Sequence, residues 1–441
     1  MRISLMKFDM ANLRQTEIIG SMPVYNAEQI TFAITMTIQK PMLSVAQALE
    51  FLFAAVRPVN DIEIVPTLEA NARVLAHAQT SLLSVPPMDN TQMDGYAVRA
   101  ADCASGQARL RVSQRIPAGH IAQPLEAGTA ARIFTGAMMP HGADAVVMQE
   151  QCAPDGDFVT VSHTPASGEW VRREGEDIRA GASILAAGTR LRAQELGLAA
   201  SVGLASLPVW RKLRVAVFFT GDELTMPGEE LKPGAIYNSN RFLLNALLQN
   251  LNCTVTDYGI VPDSLETTRR TLRLAAQDHD LIITSGGVSV GEEDHIKPAV
   301  EAEGRLTMWQ IAVKPGKPLA FGEINRDKGS AFFLGLPGNP VSSFVTFLLF
   351  VRPFILRMQG VANVTAHSFM MRADFELKKP DQRNEFLRAK INQQGGLDLF
   401  TNQSSAVLTS TVWGDGLIDL AAGDTINFGD LVKFIPFTSL V

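Results

Sequence analysis

The feature that most constrains the fold is a regular alternation of apolar strands and amphipathic helices that begins at residue 214. Three strands and two helices are predicted in turn over residues 214–219, 238–251, 254–261, 263–277 and 281–284. Strands that alternate with helices of this length form βαβ units around a parallel sheet. Such sheets bind their ligands in the crevice outside the carboxyl ends of the strands. The sequence therefore predicts an α/β core with a ligand site in the loops that follow its strands.

The loop after the third strand, SGGVSVGEED (285–294), combines small residues with three acids. Gly286 and Gly287 allow backbone N–H groups to converge on an anion, and Ser285 and Ser289 add hydroxyl donors. The dinucleotide pattern GxGxxG and the Walker pattern GxxxxGK[ST] are both absent from the loop. These residues predict a cradle for the phosphate oxygens of a ligand. The alternative is a tight strand-to-helix turn with a solvated acidic helix start.

Acidic side chains follow each of the three predicted strands. Glu223 lies in FFTGDEL, Asp263 in GIVPDS and Asp294 at the end of the glycine loop. Mg²⁺ prefers a few carboxylates together with phosphate oxygens of a substrate. We therefore expect Glu223 and Asp294 to hold Mg²⁺ at the edge of the sheet. The alternative is that these acids only cap helices, although three acids at three strand ends are more than capping requires.

A second cluster of charge is basic. The segment VKPGKP (313–318) holds Lys314 and Lys317 in a turn that is stiffened by proline. Lysines held at fixed positions on either side of a glycine suit an oxyanion. The alternative is a solvated basic turn.

Outside the α/β core the chain consists largely of short strands and turns. From about residue 80 to 175, short strands separated by Gly and Pro turns predict a small β-rich unit. Beyond about residue 362, evenly spaced short strands predict a β-barrel or sandwich. A capped amphipathic helix is predicted at 43–56. The segment 1–41 is rich in methionine and has no clear periodicity, so we expect a disordered arm and assign it no function.

Composition excludes several classes of function. At 441 residues the chain is too long for one ordinary domain, and its net charge of −6 argues against nucleic acid or an anionic membrane as the main partner. Cys103, Cys152 and Cys253 are widely spaced, which disfavours a disulfide framework and a zinc–thiolate site. The most apolar stretch, 341–356, is too short for a membrane span and contains an arginine and a proline. We expect that stretch to be a buried helix and the protein to be cytoplasmic.

Seven motifs between residues 93 and 342 together resemble those of the molybdopterin molybdotransferases, the family of bacterial MoeA and the C-terminal domain of gephyrin. The resemblance covers about residues 43–441. The motifs are MDGYAVR (93–99), RIFTGAMMPHGADAVV (132–147), REGEDIRAGASIL (173–185), TGDEL (220–224), SGGVSVGEED (285–294), VKPGKPLAFG (313–322) and GLPGNPVS (335–342). The resemblance implies an elongated homodimer of four-domain subunits. The implied domains are a discontinuous linker (43–78 and 176–211), a β-rich domain (79–175), an α/β molybdopterin-binding domain (212–361) and a C-terminal β-barrel (362–441).

The resemblance also implies a reaction. Adenylylated molybdopterin and molybdate would be the substrates, Mg²⁺ the metal cofactor, and AMP the leaving product as molybdenum reaches the dithiolene. Since the sulfur ligands of molybdenum then belong to the substrate, the protein needs no cysteine cluster. The glycine loop would hold the phosphate part of the pterin ligand, and the acids would hold or position Mg²⁺.

Site residues follow from the motif positions. The resemblance implies that the residues important for catalysis are Asp94, Thr135, Asp177, Glu223, Asp263 and Asp294. Asp94 and Thr135 would act across the dimer, on the cleft of the other subunit. The implied molybdate pocket consists of Lys314, Lys317, Arg388 and Ser405. This chain has Ser404 where the family commonly has glycine before that last serine.

Two other functions are compatible with parts of the sequence. A related adenylyltransferase shares only the α/β domain and would consume ATP with molybdopterin; the flanking β-rich segments argue against it. A non-catalytic scaffold or pterin carrier would bind pterin without turnover; the intact acids argue against that role.

Overall fold

The computed structural model describes residues 42–288 and 295–440, apart from the side chains of residues 308 and 309. The expected N-terminal arm (1–41) therefore lies outside the described residues, as do the predicted site residues Ser289 and Asp294. The other predicted site residues are all described.

The alternation after residue 213 forms a six-stranded sheet. In spatial order its strands are Thr254–Val261, Arg214–Thr220, Leu281–Ser285, Ser330–Leu336, Pro318–Asn325 and Gly304–Gln310. The first four strands run parallel to one another, and the last two join antiparallel. The expected parallel sheet is thus correct for the half that was read from the alternation. The other half differs because its strands are joined by connections too short to return the chain in parallel.

Helices cover both faces of this sheet. Side chains alternate along its strands, so Val217 and Phe219 face one side while Ala216 and Phe218 face the other. The helices on the first face are Ser239–Asn250 and Pro340–Met358, and those on the second are Leu265–Asp278 and Ile296–Glu303. The side chain of Asn238 caps the amino end of helix Ser239–Asn250, and that of Ser264 caps the amino end of helix Leu265–Asp278.

The apolar stretch predicted as a buried helix is one. It runs through Pro340–Thr346, a π-helical turn at Phe347–Val351 and Arg352–Met358. Within the described part of the chain it is the helix long and apolar enough to cross a membrane, but 83% of the apolar window is buried inside the fold. Phe354 is fully buried and meets Phe321 and Phe332 edge-on. These contacts are those of a core helix.

The β-rich unit contains a six-stranded sheet. Its strands, in spatial order, are Ala145–Met148, Gly95–Val98, Thr129–Ile133, Ala108–Ile116, Phe158–Val161 and Cys152–Asp155. The short strands Asn90–Thr91 and Val171–Arg172 pair beside it, and 3₁₀ turns lie at Ala100–Cys103 and Gln149–Gln151. Two small apolar clusters form its core.

The C-terminal strands curl into a barrel. In order around the sheet they are Leu397–Leu399, Asn384–Ile391, Gly416–Leu420, Leu431–Pro436 and Phe369–Arg372. A bridge between Ala373 and Leu397 brings the last strand back to the first. A short strand of the α/β unit, Val313–Lys314, pairs in parallel with Asn384–Ile391. This pairing attaches the basic turn to the barrel.

Two distant parts of the chain combine between these units. Strand Ile62–Pro66 pairs with Ser206–Trp210, and Gln79–Thr80 pairs with Ser183–Leu185. Apolar side chains of these strands form a small cluster, to which helix Ala193–Ser201 contributes Ala199. Helix Val45–Ala55 instead buries Ala48 and Leu52 in the main core of the α/β unit. The pairings are those of a discontinuous unit, while the domain limits given above stay predictions.

Candidate functional site

A large cleft lies at the carboxyl edge of the parallel strands. Its volume is about 1170 Å³. The parts of the α/β unit that line it are the loops after Arg214–Thr220, Thr254–Val261 and Leu281–Ser285, the segment 236–240, and the turns at 314–318 and 337–340. A segment of the barrel, residues 403–406, closes the remaining side. The cleft is therefore where a doubly wound sheet binds ligands.

The glycine loop approaches the neighbouring strand closely. Gly286 and Gly287 have φ values of 98° and 64°, a region that side chains disfavour. A Cβ on Gly286 would lie 2.9 Å from the carbonyl oxygen of Thr220. Only glycine at position 286 therefore lets the loop pass so close to the end of the neighbouring strand. The backbone of the loop consequently lines the cleft.

Ser285 supports the loop from behind. Its hydroxyl is buried, donates to the carbonyl of Pro337 at 2.9 Å and accepts from Nδ2 of Asn240 at 2.8 Å. The hydroxyl hydrogen is therefore already used within the protein. Ser285 lies at the cleft as expected, but its geometry is that of a residue that joins strand ends together.

The acidic side of the cleft is formed by Glu223 and Asp263. Glu223 is exposed, and Asp263 is half-buried and accepts a hydrogen bond from the Thr220 hydroxyl at 3.2 Å. Among the described residues no three acidic, histidine or cysteine side chains gather as a metal site. The expected pairing of Glu223 with Asp294 stays a prediction because Asp294 lies outside the described residues.

A buried amide on the cleft wall was not anticipated as part of the site. Asn240 is 9% exposed, and its Nδ2 donates to Ser285 and to the carbonyl of Gly338, both at 2.8 Å. These bonds leave its Oδ1 buried with no partner. The sequence predicts only a helix over 238–251, although an asparagine beyond the cap position is a poor helix former and so a signal.

The basic side of the cleft is formed by Lys314, Lys317 and Arg383. Nζ of Lys314 lies 2.7 Å from Glu385 and 3.2 Å from Asp381. Burial alone would lower the pKa of Lys314, but these two carboxylates outweigh it and raise the pKa. Lys317 is exposed and has no ion pair within the described ranges.

Arg383 adds a cation that sequence analysis missed. It lines the cleft and holds Asp381 through two guanidinium nitrogens, at 2.9 and 3.0 Å. Arg383, Asp381 and Glu385 lie on and before a barrel strand, far along the chain from the lysines. Only the parallel pairing of Val313–Lys314 with Asn384–Ile391 brings them together.

The two barrel residues expected in the molybdate pocket take different positions. Ser405 lines the cleft. Arg388 is 1% exposed, and its guanidinium donates to the Ser410 hydroxyl and to the carbonyls of Phe386 and Ser404, at 3.1 to 3.3 Å. Burial lowers the pKa of Arg388 to about 10. Arg388 therefore holds the 403–406 segment from behind; direct contact with a ligand stays a prediction.

Asp94, Thr135 and Asp177 do not line the cleft of their own chain. Oδ1 of Asp94 accepts from the N–H and the hydroxyl of Thr135, both at 2.7 Å. These hydrogen bonds, the backbone one first, lower the pKa of Asp94. Asp177 is exposed on a loop whose backbone bonds to Val85. Asp94 and Thr135 therefore form a hydrogen-bonded pair in the β-rich unit, outside the cleft of their own chain.

Three family models match this chain in succession. Residues 43–203 match the MoeA N-terminal region (domain I and II), residues 216–357 a probable molybdopterin binding domain, and residues 371–437 the MoeA C-terminal region (domain IV). Together the three matches cover most of the chain, and the second and third include every residue that lines the cleft.

Individual proteins are similar over nearly the same span. The molybdopterin molybdenumtransferase of Haemophilus influenzae is 37% identical, with 91% of this chain and 100% of that protein aligned. Its counterpart from Nostoc is 36% identical over 87% of this chain and 91% of its own length. Two crystal structures of molybdopterin biosynthesis MoeA protein from Pyrococcus horikoshii superpose with TM-scores of 0.72 and 0.77, at 31% and 27% identity. Each covers 90% of this chain and 99% or 100% of the solved chain.

Proposed function

The chain belongs to the molybdopterin molybdenumtransferase family, and from that membership we propose that it inserts molybdenum from molybdate into adenylylated molybdopterin with Mg²⁺-dependent release of AMP. The observation that carries the proposal is a single cleft with acids on one side, cations on the other and a glycine loop between them. A substrate with a phosphoanhydride and an oxoanion co-substrate require such a division of charge.

The donor atoms present fit a hard cation. Glu223 and Asp263 offer carboxylates, and Oδ1 of Asn240 is a buried acceptor with no partner. Oxygen donors of this kind, completed by phosphate oxygens, suit Mg²⁺. Bound there, Mg²⁺ would neutralise negative charge on the phosphoanhydride. In the proposed assignment Glu223 and Asp294 hold the ion, and Asp263 and Asn240 border it.

The protein's own groups position the two substrates. The backbone N–H of Gly287, with Ser289, would bind phosphate oxygens. The N–H of Gly286 already donates to the carbonyl of Leu336 at 3.1 Å, and Ser285 keeps the loop against the turn at 337–340. Lys317, and Lys314 held by its carboxylates, would bind molybdate at the opposite side. Arg388 and Ser405 shape the barrel segment that closes that side. Cleavage of the phosphoanhydride next to bound molybdate would then be a matter of positioning and charge.

The proposal extends to assembly and location. A homodimer in which Asp94 and Thr135 reach the cleft of the other subunit would explain why these residues lie outside the cleft of their own chain. We place this enzyme of molybdenum cofactor biosynthesis in the cytoplasm; in the described residues the one helix long and apolar enough to cross a membrane, Pro340–Met358, is mostly buried inside the fold.

The decisive experiment is an assay of AMP release by the purified chain. We expect release from adenylylated molybdopterin that requires both Mg²⁺ and molybdate and consumes no ATP. Glu223→Gln should lower the rate about 100-fold or more, because it removes a charge from the proposed metal site. Glu230→Gln is the matched control, since Glu230 is an exposed acid of the same loop that does not line the cleft. Equal rates for Glu223→Gln and the wild type would contradict the site, and tight pterin binding without AMP release would contradict the enzyme.

A further inference from the structure

The helix Ser239–Asn250 begins at the cleft, and no acidic side chain of its own first turn balances the positive end of its dipole. Asn238 caps it by accepting a hydrogen bond from the N–H of Arg241 at 3.1 Å. The first turn contains no acidic side chain. The positive end of this helix dipole is therefore not neutralised by its own turn, which favours an anion there.

The cap residue itself holds an unused donor. Because Oδ1 of Asn238 faces the N–H of Arg241, the other amide atom must be Nδ2. Asn238 is 2% exposed and lines the cleft, and its Nδ2 is buried with no hydrogen-bond partner. Its backbone is fixed by a hydrogen bond to the carbonyl of Thr225 at 2.9 Å. A buried donor of this kind lowers stability unless a ligand accepts from it.

The surroundings connect this helix start to the rest of the site. Strand Ile236–Tyr237 pairs with Leu224–Thr225, directly after Glu223. On the other side Asn240 bonds to Ser285, at the base of the glycine loop. The Tyr237 and Ile236 side chains are 45% and 56% exposed and line the cleft beside the cap. An apolar and aromatic surface thus adjoins the unused donor.

We propose that the helix start at 238–240 is a second phosphate site, which binds the nucleotide phosphate of a phosphoanhydride while the glycine loop binds the other phosphate. The inference rests on the proposed function for the identity of the ligand. Nδ2 of Asn238 and the first free N–H groups of the helix donate to the phosphate. Tyr237 and Ile236 provide the surface for the nucleoside.

The test replaces only the donor. Asn238→Asp keeps an oxygen that caps Arg241 and exchanges the Nδ2 donor for a carboxylate that faces the phosphate. Aspartate is as good a cap as asparagine, so the variant should melt at the wild-type temperature or above. We expect AMP, titrated by calorimetry into the full-length protein with Mg²⁺, to bind about 100-fold more weakly or not measurably. The binding of inorganic phosphate should weaken by a similar factor, and the binding of molybdate should not change.

The control places the same charge on another helix cap. Ser44 caps helix Val45–Ala55 through the N–H of Gln47 and does not line the cleft. Ser44→Asp should therefore bind AMP as the wild type does.

The outcomes separate this inference from the proposed function. Wild-type AMP affinity in Asn238→Asp would overturn the second phosphate site, even if the wild type releases AMP from adenylylated molybdopterin. Loss of molybdate binding with AMP binding intact would overturn it too, because the occupant would then be the oxoanion. Weak AMP binding in the variant, together with no turnover by the wild type, would support the phosphate site and refute the enzyme.

Discussion

At the scale of single residues, the cleft is defined by which polar groups already have partners. Ser285 and Arg388 were expected to contact ligands, yet both direct hydrogen bonds to other parts of the protein. Asn238 and Asn240 were not expected there, yet each retains a buried atom without a partner. Residue type indicated which side chains could bind an anion or a cation. Only the hydrogen-bond count indicates which of them are still free to do so.

Glu385 should raise the pKa of Lys314 and thereby stabilise the fold. Its carboxylate is almost fully buried and lies 2.7 Å from Nζ of the lysine, whose pKa is raised above its ordinary value. The stabilisation from a raised lysine pKa is complete below the ordinary pKa and is lost as pH rises through the raised one. Glu385→Gln should lower stability by about 1 kcal/mol near pH 7, a modest value because Lys314 is 39% exposed and screened by solvent. The difference from the wild type should narrow above about pH 10.

Thermal melts of the two proteins between pH 7 and pH 11 check this expectation. Glu376→Gln is the matched control, since Glu376 pairs with Lys378 on the same barrel but both side chains are more than half exposed. That variant should melt within about 1 °C of the wild type at every pH. A difference for Glu385→Gln that stays constant up to pH 11 would show that its carboxylate does not act through the charge of Lys314.

At the scale of elements, the site depends on loops that leave neighbouring parallel strands and almost touch. Arg214–Thr220 and Leu281–Ser285 are adjacent and end in register, so the loops after them meet at one edge. The helix that follows the first strand begins at the same edge, which places its cap in the cleft. The strand and helix periodicity was sufficient to predict this meeting of loops, because parallel βαβ topology allows no other arrangement of strand ends.

Gly286→Ala should damage the site more than the fold. Alanine would have to adopt the positive φ of 98° that Gly286 has, which side chains disfavour. Its Cβ would also lie 2.9 Å from the carbonyl oxygen of Thr220, so the loop must shift. We expect the KM for adenylylated molybdopterin to rise about tenfold or more, measured by AMP release. Gly395→Ala is the control: it shares a positive φ of 73° but has open space around the added Cβ. Equal effects of the two substitutions would mean that backbone strain, and not the position of the loop, is responsible.

At the scale of the whole molecule, charge and chemistry are divided among units that the chain visits in turn. The acids and the glycine loop come from the α/β unit, and Arg383, Arg388 and Ser405 come from the barrel. Asp94 and Thr135 are hydrogen-bonded to each other in the β-rich unit, outside the cleft of their own chain. The proposed dimer would complete the site with a surface from the second subunit.

Mixed dimers test this arrangement. If Asp94 acts across the interface, a dimer of one Asp94→Ala subunit and one Glu223→Gln subunit contains one intact site and one doubly defective site. Random exchange of subunits between the two inactive proteins should therefore restore about a quarter of the wild-type rate of AMP release. Mixing either variant with itself is the control and should restore nothing. No recovery after verified exchange would mean that both residues serve the same subunit's site, or that Asp94 has no role.

The sequence by itself determined the α/β core, the β-rich flanks and the chemistry on offer at the strand ends, because periodicity and turn residues act locally along the chain. It also placed Glu223, Asp263 and the glycine loop at one edge, since parallel strands must end together. The tertiary structure alone decided the antiparallel half of the sheet and the pairing of Lys314 with Glu385. It alone left Asn238 and Asn240 with unused atoms. Those outcomes depend on contacts between residues far apart in the chain, and no local pattern encodes which distant group will reach a given side chain first.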